Sequence, residues 1–250
     1  MMMEVGRVHE VVRYPVKSMA GVEVESAMAG WHGLVGDRRL AFRRVGVENG
    51  FPWLSASRLP ELLAYRPVGL DESTGEPLPT HVVAPCGSGL AIGSVELDAQ
   101  VSQRCGSRVE LTRLKHGIFD EAPISVIDLA SIGGIGRAAG LTLDRRRFRA
   151  NVVVTSEESE PFREDRWVGG RLIFGDGEAG AVVSVTLRDF RCVMINIDPE
   201  TCEKDARVMK TAVGLNEGFA GVYATVVRAG RIAVGDAVCF AAESRAESRR

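Results

Sequence analysis

The feature of this sequence that most limits its fold is a succession of short runs rich in valine and isoleucine. Examples are Val8–Val12, Ser94–Leu97, Ile124–Ile127, Val152–Thr155 and Val182–Leu187, each bounded by glycine, proline or polar residues. Such runs are typical of β-strands. Many short strands need many tight turns, and the 250-residue chain contains 28 glycines. The pattern predicts a mainly β protein.

Helix signals are few, which places the chain in the α+β class with mainly β structure and a few helices. Residues 129–139 form one candidate helix, weakened by its glycines. Residues 57–64 form another, with a serine cap and a proline in the first turn. The sequence after residue 115 is more apolar than the turn-rich part before it. We predict a β-rich N-terminal domain over residues 1–115, a second domain over 116–241 and a disordered, charged tail over 242–250.

Charge and cysteine usage exclude several classes of protein. Lysine and arginine total 31 against 33 acidic residues, so the basic excess of a nucleic-acid binder is missing. The five cysteines form no CxxC pair, which argues against zinc-ribbon spacing. No signal peptide and no membrane-spanning run is visible. We expect a cytoplasmic protein that binds neither nucleic acid nor membranes.

A glycine motif, Gly134-Ile-Gly136-Arg-Ala-Ala139, has the outline of a dinucleotide-binding loop, with Glu157 about 20 residues further on. However, six residues separate the preceding strand from the first glycine. The interval before Arg145 is also too short for a crossover helix. The dinucleotide interpretation is therefore disfavoured.

Several polar residues follow or precede strands, where they are placed to bind an anion. Lys17 and Ser18 lie in a turn after the first strand, and Arg38 stands at the entry to another. Arg149 and Asn151 lie at the root of the strand that starts near Val152. Guanidinium groups bind phosphate in bidentate geometry, and a carboxamide can pair with a donor–acceptor edge. Each feature taken alone is equally explained by a solvated turn or a surface salt bridge.

Cys192 follows Arg191 and opens a run, Val193–Ile197, that predicts a strand. A positive neighbour lowers the pKa of a thiol and favours the thiolate, which attacks electrophiles or binds soft metals. The alternative is a buried, inert cysteine, and the local pattern does not separate the two.

Five motifs occur in order along the chain: Tyr14-Pro-Val-Lys-Ser18, Gly36-Asp37-Arg38, Arg147-Phe-Arg149-Ala-Asn151, Glu164-Asp165-Arg-Trp167, and Arg191-Cys192 followed by Asp198-Pro199. Together they resemble the MOSC family with its β-barrel-like N-terminal companion domain. The resemblance covers about residues 4–240 and is greatest to the branch that contains the amidoxime-reducing component and its bacterial relatives.

The resemblance implies a β-barrel fold for the second domain and a bound molybdenum cofactor (Mo-molybdopterin). It implies that Cys192 is both the catalytic residue and the protein ligand of the metal. The cofactor-binding residues that it implies are Lys17, Ser18, Arg38, Ser125, Arg149, Asn151, Arg191 and Cys192. Glu164, Asp165 and Trp167 would support the site from outside it.

The activity that the resemblance implies is a molybdenum-dependent oxidoreductase that reduces small N-hydroxylated compounds. Some relatives carry a C-terminal ferredoxin-like domain; we expect none in this protein, so separate partner proteins would supply the electrons. Two alternatives stay open: a non-catalytic carrier of the cofactor or of sulfur, as a persulfide on Cys192, and a β-rich binding protein whose cofactor pocket has decayed. Departures from the family pattern at Ile195, Asn196 and Cys202 put retention of the cofactor in question.

Overall fold

The computed structural model describes residues 2–48, 50–156, 159–175 and 177–242. Its strands are β1 (Met2–Arg13), β2 (Val22–Val24), β3 (Ser26–Gly30), β4 (Gly33–Leu34), β5 (Leu40–Arg44), β6 (Arg66–Val68), β7 (His81–Val83), β8 (Gly89–Ala91), β9 (Val109–Arg113), β10 (Ile124–Asp128), β11 (Val152–Thr155), β12 (Gly170–Phe174), β13 (Val182–Phe190), β14 (Phe219–Arg228), β15 (Gly230–Ala233) and β16 (Ala237–Ala242). Its helices are α1 (Val95–Cys105), α2 (Leu129–Ala139) and α3 (Arg207–Asn216).

Seven of these strands form a closed β-barrel. The order is β11-β10-β14-β13-β12-β16-β1, and an antiparallel pairing of β1 with β11 completes the circle. β10 and β11 run parallel because α2 crosses between them, and the other barrel pairs are antiparallel. The mainly β fold with a few helices is confirmed.

The barrel interior is filled by apolar side chains that alternate along the strands. Val8 and Val11 of β1 pack with Ile124, Phe174 and Trp167, all almost fully buried. Burial of this surface is the main force that holds the barrel closed. A second apolar core lies in the N-terminal half, where Phe42 and other side chains pack against Leu97 of α1.

The N-terminal half is joined to the barrel by strand pairing. β1 is a barrel strand, and β3 pairs with β15. β2 pairs with β1, and β4 pairs with β3. The other N-terminal strands form two small sheets, β5-β9 and β6-β7-β8. The domain boundary near residue 115 stays a prediction, and residues 243–250 of the predicted tail lie outside the described part of the chain.

α2 begins and ends where the sequence predicts, at Leu129 and Ala139. The Asp128 carboxylate accepts a hydrogen bond of 2.8 Å from the Ala130 amide, which caps the start of the helix. The glycines of α2 permit close packing against neighbouring segments. A Cβ at Gly134 would lie 2.7 Å from a Pro161 carbon, and one at Gly136 would lie 2.8 Å from the Leu141 carbonyl oxygen. The motif that resembles a dinucleotide loop is part of this helix.

Three local predictions differ from the structure. Residues 94–97, predicted as a strand, are the capped start of α1, where the Ser94 hydroxyl accepts a hydrogen bond from the Leu97 amide. The helix predicted over residues 57–64 is a 3₁₀ turn over Pro60–Ala64. The strand predicted after Cys192 is a 3₁₀ turn over Val193–Asn196.

Candidate functional site

A cleft of about 230 Å³ opens beside the ends of β10 and β13, and both halves of the chain contribute to it. Seven of the eight residues predicted to form the site line this cleft: Lys17, Ser18, Arg38, Ser125, Arg149, Arg191 and Cys192. They come from turns that are far apart in sequence. The structure thus brings the residues of the predicted site together, with the exception of Asn151.

Three of the lining residues have a left-handed backbone conformation that side-chain-bearing residues rarely adopt. The φ angles are 67° for Ser18, 49° for Arg38 and 51° for Arg149. Each such residue costs on the order of 1–3 kcal/mol, and this kind of strain clusters at functional sites. The cleft therefore concentrates backbone strain at three of its predicted binding residues.

The two arginines share one aromatic platform, the buried ring of Tyr14. The guanidinium carbon of Arg149 lies 4.3 Å from the centre of this ring, and that of Arg38 lies 5.1 Å from it. Burial raises the pKa of Tyr14 to about 12 and lowers the pKa of Arg149 to about 10. Arg149 also donates a 2.7 Å hydrogen bond to the Met19 carbonyl. Both cations are thus held in fixed positions.

Asn151 lies beneath the cleft and positions its floor. Its side-chain oxygen accepts hydrogen bonds from Arg38 (3.1 Å) and from the Ser125 amide (3.2 Å). Its amide nitrogen donates to the Val12 carbonyl at 3.2 Å. Because Asn151 is almost fully buried, it acts through Arg38 and Ser125 and does not line the cleft itself.

Lys17 and the turn around Asp120 form the outer edge of the cleft. The Lys17 ammonium lies 3.1 Å from an Asp120 carboxylate oxygen and 5.7 Å from the ring centre of Phe51. Burial acts to raise the pKa of Asp120. The charge of Lys17, its hydrogen bond and the more distant Arg38 outweigh burial, so the pKa is lowered overall. No motif or spacing in the sequence distinguishes Asp120 from the many surface acids.

Arg191 is bound mainly to the interior of the protein. Its guanidinium donates to the Ala220 and Phe148 carbonyls at 2.6 and 2.7 Å, and it forms an ion pair of 2.9 Å with the buried Asp189. The Ser125 hydroxyl donates to the same Asp189 oxygen at 2.9 Å. Arg191 therefore organises this wall of the cleft through Asp189 and two backbone carbonyls.

Asp189 is a cleft residue that the sequence analysis missed. It is 2% exposed, and its second carboxylate oxygen makes no hydrogen bond within the described residues. Burial raises its pKa even though Arg191 and Ser125 act in the opposite direction. The only clue in the sequence was the spacing between Asp189 and Arg191. Residues two positions apart in an extended strand place their side chains on the same face.

Cys192 lies just beyond β13, and its side chain is exposed at the cleft. The 3₁₀ turn that follows is fixed by Arg147, whose guanidinium donates to the Ile195 and Asn196 carbonyls at 3.3 and 2.9 Å. The thiol is therefore accessible to a ligand, while the Arg147 side chain holds the turn that follows Cys192 in place. The buried, inert alternative for this cysteine does not describe the structure.

Cys202 is separate from the cleft lining. It is partly buried, and burial, followed by the charges of Glu61 and Asp198, raises the pKa of its thiol. The predicted supporting residues also lie outside the lining. Glu164 is buried and accepts hydrogen bonds from the Ser131 hydroxyl at 2.7 Å and the Gly221 amide at 3.1 Å.

The decisive comparison is with protein families, because the MOSC domain model matches residues 113–239, slightly more than half of the chain. The chain belongs to the MOSC family. MOSC domains are generally associated with molybdenum-cofactor sulfurases and reductase-like proteins. The matched segment contains Ser125, Arg149, Asn151 and the Arg191–Cys192 pair of this MOSC protein.

One solved structure supports this fold over nearly the whole chain. The YuaD protein of Bacillus subtilis is 15% identical, covers 98% of this chain and 99% of its own, and superposes with a TM-score of 0.53. YiiM from Geobacillus stearothermophilus is 14% identical over 50% of this chain and 56% of its own, with a TM-score of 0.37. No curated protein matches the sequence. Within the described residues, no helix of this MOSC protein is long and apolar enough to cross a membrane.

Proposed function

We propose that this MOSC protein binds the molybdenum cofactor and is an oxidoreductase of the amidoxime-reducing type. It would reduce small N-hydroxylated compounds with electrons from separate partner proteins. The observation that carries the proposal is the presence, in one cleft, of an exposed cysteine thiol and a group of fixed cations. A soft metal and a phosphate are the two chemical ends of this cofactor, and they need these two kinds of group.

The cationic wall fits the phosphate end of the cofactor. Lys17, Arg38 and Arg149 all line the cleft, and guanidinium and ammonium groups are the usual partners of phosphate. The Ser18 hydroxyl supports this assignment. Ser18 lines the cleft, and its hydroxyl, which forms no hydrogen bond within the described part of the chain, is open to a ligand there. A bound phosphate oxygen would satisfy it.

Cys192 fits the metal end. A thiolate is a soft ligand, and the Cys192 side chain is already exposed at the cleft. The departures from the family pattern do not remove such a ligand. Ile195 adds an apolar wall, while the Asn196 side chain accepts a 2.8 Å hydrogen bond from the Met209 amide and so fixes the start of α3.

When bound, the cofactor would supply the two-electron redox chemistry of the reaction. The overall reaction consumes two electrons and two protons and releases the N–H product and water. The protein would orient the cofactor through Cys192 and the cations, as is general for cofactor enzymes. Asp189 and Tyr223, which line the same cleft, are the side chains placed to hold protons there.

The test is metal and pterin analysis of the protein produced in a host that makes the cofactor. We expect molybdenum and a released molybdopterin in wild type and in Cys202→Ala, and neither in Cys192→Ala. Cys202→Ala is the matched control because it removes a thiol outside the cleft lining. Folded wild-type protein without molybdenum would overturn the proposal.

The exposure of Cys192 also supports a second candidate function, that of a carrier that holds sulfur as a persulfide on this residue. That function predicts a mass increase of one sulfur atom on the Cys192 peptide after incubation with a persulfide donor, which transfers its outer sulfur to the Cys192 thiolate and leaves as a thiol. It also predicts no turnover of N-hydroxylated compounds by the metal-loaded protein with an artificial electron donor. Turnover that requires Cys192 would exclude it.

A further inference from the structure

The apolar surface next to Cys192 has no place in the site described above. A groove of about 710 Å³ adjoins the cleft and shares Asp120, Phe190, Cys192 and Tyr223 with it. It continues outward over the barrel surface, where it is lined by Glu121, Val168, Thr186, Leu187, Arg188 and Phe219. The groove therefore leads from solvent to the exposed thiol along a path separate from the cationic wall.

The walls of this groove are unusually apolar for a surface. Phe190 is 61% exposed, and Val168 and Leu187 are 39% and 36% exposed. Large apolar side chains that are exposed together, beside a reactive group, mark binding sites more often than isolated ones do. Exposure of these apolar side chains to water costs free energy, and an apolar ligand that covers them removes that cost.

The aromatic part of the groove is held rigid before any ligand binds. The rings of Phe190 and Phe219 meet edge to face, with centroids 5.3 Å apart and planes at 70°. The Arg188 guanidinium lies 3.8 Å from the centre of the Phe219 ring. Arg188 is itself fixed by an ion pair of 3.1 Å with Asp165 and by hydrogen bonds to Asn216. A preorganised aromatic wall binds a flat ring without the cost of ordering side chains.

The charges along the groove distinguish between ligands. Glu121 is exposed and forms no ion pair within the described residues, whereas the one cation, Arg188, is already bound to Asp165. An anionic ligand would find no free partner there. A neutral or cationic ligand would approach an unpaired carboxylate.

We propose that this groove is the substrate subsite, and that it selects N-hydroxylated compounds with a flat, aromatic, non-anionic body. The ring lies against Phe190 and Phe219, and the N–OH end points along the groove to Cys192. This inference rests on the proposed function for the identity of the N–OH group. The aromatic selectivity is a property of the groove alone.

The experiment compares benzamidoxime with acetamidoxime, which differ by a phenyl ring in place of a methyl group. The full chain is produced in a host that does not make the cofactor, so that Cys192 is free. Protection of Cys192 from iodoacetamide is followed by peptide mass spectrometry, with the exposed Cys86 as an internal reference outside the groove. We expect benzamidoxime to protect Cys192 at a concentration at least about tenfold lower than acetamidoxime.

Variants distinguish specific binding of a ring in the groove from nonspecific binding of apolar compounds. Phe190→Ala should reduce the tenfold difference to about twofold or less, and Phe190→Leu should retain part of it. Val95→Ala, which removes an exposed apolar side chain at the start of α1 and outside the groove lining, should leave it unchanged. Equal protection by the two compounds in wild type would overturn the inference, as would an unaltered preference in Phe190→Ala. Either result can occur with or without molybdenum in the protein, so it is distinct from failure of the proposed function.

Discussion

The guanidinium of Arg149 lies 4.3 Å above the centre of the Tyr14 ring, and this contact joins the first barrel strand to the turn before β11. Arg38 shares the same ring from a third segment of the chain. A cation over a buried aromatic face gains on the order of 1–2 kcal/mol. The cationic wall of the cleft is thus assembled around one side chain that does not itself line it.

Removing this ring should release both arginines. We expect Tyr14→Leu to lower the molybdenum content of the purified protein by more than half and its unfolding free energy by about 1–3 kcal/mol. Tyr14→Phe keeps the ring and loses only the 3.3 Å hydrogen bond to the Ala150 carbonyl, at a cost of about 1 kcal/mol. Metal analysis and urea denaturation of both variants check this. Equal metal loss in the two variants would show that the hydroxyl, and not the ring, matters.

The cationic wall should bind inorganic phosphate even without the cofactor. A ligand that binds only the folded state raises the melting temperature, so millimolar phosphate should raise the Tm of cofactor-free wild type. The rise should be lost in Arg149→Gln and kept in Arg146→Gln. Arg146 is the matched control because it pairs with Asp144 and Glu200 and does not line the cleft. An identical rise in both variants would contradict the assignment of Arg149.

Buried Glu164 should make stability depend on pH. Burial raises its pKa from the ordinary 4.5 to about 7, so the folded state holds a proton that the unfolded state releases. Stability from this group is therefore greatest below pH 4.5 and is lost as pH rises to about 7, by roughly 3 kcal/mol. Glu164→Gln stays neutral, so we expect it to be more stable than wild type at pH 8 and to lose this advantage at pH 5.

The check is urea denaturation of Glu164→Gln at the two pH values, with Glu160→Gln as the control. Glu160 is exposed and paired with Arg166 on the surface, so its replacement should change stability by less than about 1 kcal/mol at either pH. A stability difference between Glu164→Gln and wild type that is the same at both pH values would show that Glu164 does not titrate in this range.

Cys202 carries strain that glycine would relieve. Its φ angle is 60°, a conformation that glycine adopts without cost, so Cys202→Gly should raise the unfolding free energy by about 0.5–1 kcal/mol. Cys202→Ala keeps the Cβ atom and should give no gain. Denaturant unfolding of the pair measures the difference. A gain in Cys202→Ala as large as in Cys202→Gly would attribute the effect to the thiol and not to the backbone.

The parts of the fold that depend on local chemistry could be predicted from the sequence. α2 has its cap at Asp128 and its terminal glycine at Gly140, and both signals are adjacent to it in the chain. The strands β10 and β11 follow in the same way from their short β-branched runs. α1 shows the limit: its Ser94 cap and Gly106 end were present in the sequence, but the cap and the first three helical residues also match a strand.

The turn after Cys192 could not be predicted, because a distant residue fixes it. The run from Val193 has strand composition, yet Arg147 holds two of its carbonyls in a 3₁₀ turn. The roles of Asp120 and Asp189 in the cleft could not be predicted from the sequence either. Their importance comes from Lys17 and Arg191, which the fold brings beside them. The cleft residues recognised from motifs were found because the resemblance spans both halves of the chain.

The pairing of β1 with β16 determines when the barrel can close during synthesis of the chain. Arg7 of β1 donates a hydrogen bond to the carbonyl of Gly235, 228 positions later, and β16 lies beyond that. During synthesis, a nascent chain that already contains Tyr223 and every other cleft residue still lacks the strand that closes the barrel. Until β16 emerges, β1 and β12 present open edges on the ribosome, and contacts of such long range form slowly. The barrel that carries the cleft is therefore closed only after β16 has been synthesised, and a ligand that needs the closed barrel binds after that moment.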